Sequence, residues 1–202
     1  GDWVIAQALA DVGQAVWCAA ELRHDRVYSI FSRMALQSVP NLSVLGGDAA
    51  MIVEQHIKPK SVSHAFINFP EPPSGWQGVD DASNALALLT PKFFRDVHRL
   101  LTPGGRLTIF SDNGRYCRSL AAMIGALRRS DDTAAAAPRL LTSVDMDLAE
   151  APYFEEIAGV KLYYGVPGAS AGHLRTQQSY FDRFWEYRQG QDTERFYMVL
   201  RR

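Results

Sequence analysis

An apolar run, H-A-F-I-N-F from His64 to Phe69, meets a proline at Pro70 and a carboxylate at Glu71, with Pro72 and Pro73 behind it. A proline fixes φ and lacks a backbone donor, so a strand that reaches one ends there. In an open α/β sheet, ligands bind outside the carboxyl ends of the strands. Glu71 then stands where such a sheet does its chemistry. The alternative is an ordinary acidic loop residue ahead of two prolines.

The patterns on either side decide whether such a sheet exists. Residues 1–12 carry a broad apolar helical face that Gly13 stops. A strand is expected over 15–22, a helix over 25–36, a strand over 42–45 and a short helix over 50–57. The 62–69 strand and a loop over 74–83 follow. Thr90 as N-cap and Pro91 at the first helical position open a helix over 91–101. Thr102 to Gly105 reads as a turn, 106–110 as a strand and 114–129 as a helix. The alanine-rich 130–138 has no clear assignment. Single strands over 154–164 and 195–202 flank a helix over 177–188. Alternating strands and helices predict a mostly parallel, doubly wound sheet with helices on both faces. The long connection between the last two strands predicts an antiparallel strand near the C-terminus.

Sheets of this kind usually begin with a strand leading through glycines into the first helix. Here Gly1 and the helix come first, so a single domain over 1–202 is expected to be preceded by a first strand in the natural protein.

Composition narrows the partners. Length 202 suits one domain, and 47% apolar residues are enough for a core. A net charge of −1 gives no general attraction to nucleic acid, so any such site must be a local patch. Two cysteines far apart, Cys18 and Cys117, in apolar surroundings argue against a disulfide framework and for a reducing compartment. With no apolar run of membrane-spanning length, a soluble protein of cytoplasm or nucleus is expected, with no membrane partner. The histidines, His24, His56, His64, His98 and His173, lack metal-ligand spacing, so no metal is expected. His64 reads as a hydrogen-bonded structural residue. Neither a P-loop nor a G-x-S-x-G elbow is present.

Four acidic residues fall at the ends of successive expected strands: Glu21, Asp48, Glu71 and Asp112. A carboxylate after the second strand of a nucleotide-binding sheet accepts hydrogen bonds from ribose hydroxyls. One after the third can accept from an adenine amino group. Four in register point to an adenosine-type ligand.

These residues together resemble the S-adenosylmethionine-dependent tRNA (guanine-N7-)-methyltransferases. That family has F-P-D-P-W after its fourth strand, where this chain has F-P-E-P-P from Phe69 to Pro73. The family's P-G-G and T-D correspond to Pro103, Gly104, Gly105 and to Ser111, Asp112. Its G-I-E corresponds to Ala19, Ala20, Glu21, with Arg23 two residues on, and its D-A to Asp48, Ala49. Its T-x-x-E is met by Ser179, Tyr180, Phe181, Asp182.

The resemblance implies a Rossmann-like class I methyltransferase fold that uses S-adenosyl-L-methionine to form 7-methylguanosine in tRNA. By the same token, Gly1 ends the cofactor loop and Glu21, with Arg23 beside it, holds the ribose. Asp48 and Ala49 contact adenine, and Asn68 lines the methionine side. Glu71 takes the place of the catalytic aspartate, while Asp112, Ser179 and Asp182 face the target guanosine.

One departure bears on the substrate. The family's K-K-R-H-x-K-R-R stretch has no counterpart, because Pro73 to Leu89 contains no Lys or Arg. Phosphate neutralisation supplies much of nucleic-acid affinity. A β-propeller subunit, which some relatives employ, could provide those contacts. Two alternatives therefore stay open: a methyltransferase of another substrate, and a catalytically silent scaffold with this fold.

Overall fold

A computed structural model describes residues 1–73, 87–132, 141–147, 149–174 and 194–202. The expected loop over 74–83 and helix over 177–188 lie outside the described residues. The chain divides into two compact units, one of Gly1–His56 and His173–Thr193, the other of Ile57–Gly172 and Glu194–Arg202. No helix of the described residues is long and apolar enough to cross a membrane.

In the first unit, α1 (Asp2–Ala10), β1 (Trp17–Glu21), α2 (His24–Leu36), β2 (Leu42–Gly46) and α3 (Ala49–Met51) follow in order. The β1–β2 pair is parallel, with Trp17 opposite Leu42 and Glu21 opposite Gly46. Ile5 and Ala8 of α1 and Ile30 of α2 bury against Val39 and Leu42, with Trp17, Ala19 and Val44 packed alongside. The amide of Asn41 donates to the carbonyls of Ala8 (2.8 Å) and Ala15 (3.0 Å), tying the end of α1 to the start of both strands. The helix expected over 50–57 is a single α turn that widens into a π-helical turn, Ile52–His56. Cys18 lies on the exposed side of β1, whereas Cys117 is buried.

The second unit holds β3 (Val62–Asn68), α4 (Pro91–Leu100), β4 (Leu101–Ser111) and α5 (Gly114–Asp132). It continues with β5 (Thr142–Ser143), β6 (Phe154–Ile157), β7 (Val160–Tyr164) and β8 (Phe196–Arg201). Its six-stranded sheet runs β3-β4-β8-β7-β6, with β5 also on β8. The β3–β4 pair is parallel, and all the C-terminal pairings are antiparallel. The expected parallel start and antiparallel end are both present, the antiparallel part being larger than one strand. Thr90 caps α4 as expected, its hydroxyl accepting from the Phe93 amide at 3.2 Å.

Two expected boundaries change. Thr102–Gly105 belongs to β4, where it forms a bulge: the register jumps from Val62 opposite Leu101 to His64 opposite Arg106. The single strand expected over 154–164 is a hairpin that turns at Ala158 (φ 52°) and Gly159 (φ 78°). Positive φ at both central residues gives a two-residue turn the twist that joins antiparallel strands.

Register brings the strand ends to one margin. Asn68 of β3 lies opposite Phe110 of β4, Ser111 opposite Phe196 of β8, Phe196 opposite Tyr164 of β7, and Tyr163 opposite Phe154 of β6. The carboxyl ends of β3, β4 and β7 and the amino ends of β8 and β6 therefore share a single edge of the sheet.

Candidate functional site

In the first unit the expected residues gather at the carboxyl end of the β1–β2 pair. The Gly47 amide donates to the Glu21 carbonyl at 3.0 Å and draws the two strand ends together. The Glu21 carboxylate accepts from the Arg23 amide at 3.0 Å, and Arg26 stands 3.9 Å from its other oxygen. A carboxylate offers about four acceptor sites, so Glu21 keeps capacity for hydroxyl donors. Asp48 caps α3, one oxygen accepting from the Ala50 amide at 2.7 Å, with Ala49 as the first residue of that turn.

Arg23 is differently engaged. Its guanidinium forks onto Asp25, Nε at 3.0 Å and a terminal nitrogen at 2.7 Å. That hydrogen bonding holds the Asp25 carboxyl below its ordinary range and raises Arg23. What Arg23 gives Glu21 is therefore its backbone N–H. Gly1 is the N-cap of α1, and a Cβ there would come within 2.6 Å of Ile30 Cγ1. Close packing onto α2 requires glycine at that position.

In the second unit Asn68, Glu71 and Asp112 stand at the shared sheet edge. His64, Phe66 and Asn68 occupy one face of β3 by alternation. The Asn68 Oδ1 atom is buried and has no hydrogen-bond partner among the described residues. Phe69 follows at φ 52°, a left-handed conformation that costs a side-chain-bearing residue on the order of 1–2 kcal/mol. It is held there by its N–H to the Phe110 carbonyl (2.6 Å) and by its ring against Phe110 (centroids 4.8 Å). Pro70 and an exposed Glu71 come next.

Beyond β4, the Ser111 hydroxyl accepts from the Asn113 amide (3.1 Å), and the Asn113 side chain caps α5 by accepting from the Tyr116 amide (3.0 Å). Asp112 sits half-buried between them. Ser179 and Asp182 lie outside the described residues.

His64 has the structural part expected of it. Its Nε2 is 2.8 Å from Thr108 Oγ1, and that hydroxyl donates to the Ala171 carbonyl at 2.9 Å. A carbonyl can only accept, so the hydroxyl's proton is committed and the His64 Nε2 carries the hydrogen. The Phe69 elbow and the Asn113 cap were not anticipated. The S-D-N-G run was a usable signal for the cap, since Asn before a helical segment is a preferred N-cap.

Chemically, the two units present acceptors at strand ends: carboxylates suited to hydroxyl and amino donors, and one buried amide oxygen awaiting a donor. That arrangement fits the class I methyltransferase fold. Solved structures with this likeness include the 30S ribosomal A1408 methyltransferase from an uncultured bacterium (TM-score 0.54, 10% identity, covering 99% of this chain and 81% of that one). TrmN from Thermus thermophilus is another (TM-score 0.51, 14% identity, covering 98% and 40%).

The chain belongs to the methyltransferase family whose sequence profile, described as "Putative methyltransferase", matches residues 1–147. Curated relatives include proteins named tRNA (guanine-N(7)-)-methyltransferase from Chlamydia muridarum, 34% identical over 63% of this chain and 54% of its own length, and from Chlamydia trachomatis, 34% identical over 57% and 49%. The chain thus spans about half the length of the curated relatives it matches.

Proposed function

We propose that the chain is the methyl-transferring part of an S-adenosyl-L-methionine-dependent tRNA (guanine-N7-)-methyltransferase. The observation that supports this most is Asn68: a buried side-chain oxygen without a partner, three residues before Glu71, at a strand end where α/β sheets bind ligands. An orphaned buried acceptor costs stability unless a ligand donor completes it. The methionine ammonium of S-adenosyl-L-methionine is such a donor, and the free acceptor positions of Glu21 suit the ribose hydroxyls. The acceptors present in the chain therefore fit the cofactor.

When bound, that cofactor supplies a methyl group on a sulfonium. Gly1, through its close approach to α2, ends the binding loop. Glu21, braced by the Arg23 amide, accepts from the ribose. Asp48 and Ala49 meet the adenine, and Asn68 the methionine portion. Guanine N7 is a lone-pair acceptor without a proton, so no base is required at that atom. The protein's task is to align N7 with the methyl, and alignment alone can supply much of a rate enhancement. Glu71 accepts from the guanine N1–H and exocyclic amine and fixes the ring, with Asp112, Ser179 and Asp182 on the guanosine side.

Calorimetry with S-adenosyl-L-methionine and nucleoside analysis after incubation with unmodified tRNA test the reading on the full-length protein. Binding and 7-methylguanosine are the expected results, and no product with any β-propeller partner supplied would refute it. Glu71 is exposed, so Glu71→Ala should leave the melting temperature unchanged and lower turnover by about 100-fold or more. Near-normal turnover would remove Glu71 from the site. The lack of Lys and Arg from Pro73 to Leu89 favours a second reading, the same cofactor with another substrate. Cofactor binding with tRNA untouched would select it.

A further inference from the structure

The sheet edge that carries Glu71 and Asp112 continues past them to an aromatic pocket. Pro152, Tyr153, Phe154 and Tyr164 line a cavity of about 460 Å³ at the β6–β7 end of the edge. Its open ring is Tyr153, 73% exposed, whereas the Phe154 ring packs on Tyr163 (centroids 5.6 Å) beneath Lys161 Nζ on the other face of the sheet. Tyr153 and Tyr164 are paired across the strands, the Tyr164 amide donating to the Tyr153 carbonyl at 3.0 Å.

Tyr164 is fixed in place. Its hydroxyl donates to Glu155 (3.1 Å) and accepts from Arg118 (3.1 Å), while Arg118 Nε pairs with Glu155 at 2.8 Å. The Arg118 guanidinium also lies over the Phe196 ring, 5.4 Å from its centroid. The pocket is thus a preset wall of rings beside a stacked arginine, and Glu155 is already neutralised.

Position and charge say what would occupy it. Asp112 follows β4 and Tyr153 precedes β6, three strand spacings along the sheet, or roughly 15 Å. That distance lies within reach of nucleotides a few places from a base held at Glu71. Arg118, from the first turns of α5, stands at this end of the edge beside Tyr164. Flat uncharged rings with an arginine beside them match a nucleobase and its phosphate, because every base has a face to stack and arginine serves both ring and phosphate.

We propose that this pocket stacks an unpaired base of the RNA strand flanking the target guanosine, on the Tyr153 ring against the Tyr164 wall. The proposal rests on the RNA methyltransferase reading. It locates substrate contacts away from the segment Pro73 to Leu89, which lacks cations.

The test uses the full-length protein, Tyr153→Ala and Tyr153→Trp. Filter retention measures binding of unmodified tRNA and of a short single-stranded oligoribonucleotide, and steady-state assays measure KM for tRNA and kcat. Tyr153→Ala should weaken retention of both RNAs at least about fivefold, the lower bound for loss of one base–aromatic stack. It should raise KM by a similar factor with kcat and S-adenosyl-L-methionine affinity unchanged, and Tyr153→Trp should restore retention. Retention and KM within twofold of the parent protein in Tyr153→Ala would overturn the pocket assignment while leaving the methyltransferase reading intact. Absence of 7-methylguanosine from the parent protein would instead overturn the reading. In that event the oligoribonucleotide retention still decides the pocket.

Discussion

Replacing Asn68 with leucine separates the cost of the site from its use. The side chain ends in an oxygen that is buried and unpartnered among the described residues. Leaving such an acceptor unsatisfied costs ~1–3 kcal/mol. Leucine has the same branched heavy-atom skeleton, no polar atom and a better fit to a strand than asparagine. For a chain of this size each kcal/mol moves the melting temperature by about 2–4 °C, so Asn68→Leu should melt at least about 2 °C above the parent protein without ligand.

With ligand the variant's advantage should shrink by ~1.3 kcal/mol. At a concentration of 100 Kd the parent protein gains ~2.7 kcal/mol from binding. Losing a hydrogen bond made only to ligand weakens affinity about tenfold, and the same concentration then yields ~1.4 kcal/mol. Thermal shift with and without S-adenosyl-L-methionine reads both quantities, and calorimetry reads the affinity directly. A variant that melts lower in the absence of ligand shows that the amide oxygen is no burden. A variant with an unchanged ligand-induced shift shows that Asn68 does not touch the cofactor. Either result refutes the reasoning.

Two further expectations concern the scaffold. A Cβ on Gly125 would lie 2.4 Å from the Ala158 carbonyl oxygen and 2.5 Å from its Cβ. Gly125→Ala gains ~1 kcal/mol of helix propensity but forces α5 off the hairpin turn. A net loss of about 2 kcal/mol is expected, seen as a fall in melting temperature; an unchanged or raised value would contradict the packing. Alkaline pH should also destabilise the fold. Burial pushes the Cys117 thiol from 9.0 and the Tyr116 and Tyr197 hydroxyls from 10.0 up to about 12. Folded, these groups keep protons that the unfolded chain releases, so their contribution is complete below pH 9 and declines toward pH 12. The urea midpoint should therefore drop between pH 8 and pH 10.5, and less so in Tyr197→Phe. A midpoint flat across that range would count against the burial of these groups.

The parts legible in the sequence were those fixed by local chemistry. A strand running into Pro70 must end, and the parallel pairing of β3 with β4 then places Asn68 and Asp112 on one edge. Thr90 and Pro91 opened α4 where their preferences said. What stayed hidden was set by distant contacts. Phe69 adopts positive φ although its own type disfavours it, because the Phe110 carbonyl and ring hold it. The Ala158-Gly159 turn escaped notice because alanine is not a residue that signals positive φ. Nor did the sequence reveal that Arg23 spends its guanidinium on Asp25, two residues away.

The elbow at Phe69 bears on how Glu71 works. Glu71 is exposed, and no side-chain hydrogen bond to another described residue fixes its carboxylate. Its placement comes from the backbone instead: a strand anchored to β4, a left-handed residue locked by Phe110, and prolines on both sides that restrict φ. A carboxylate oriented by its own hydrogen bonds would have fewer acceptor positions to offer. Among the described residues, orientation through the main chain leaves both oxygens of Glu71 for a planar donor pair such as the guanine N1–H and amine. Strain of ~1–2 kcal/mol at one residue is tolerable where the surrounding packing over-determines it. It is also a feature expected at a site whose catalysis depends on position rather than on proton transfer.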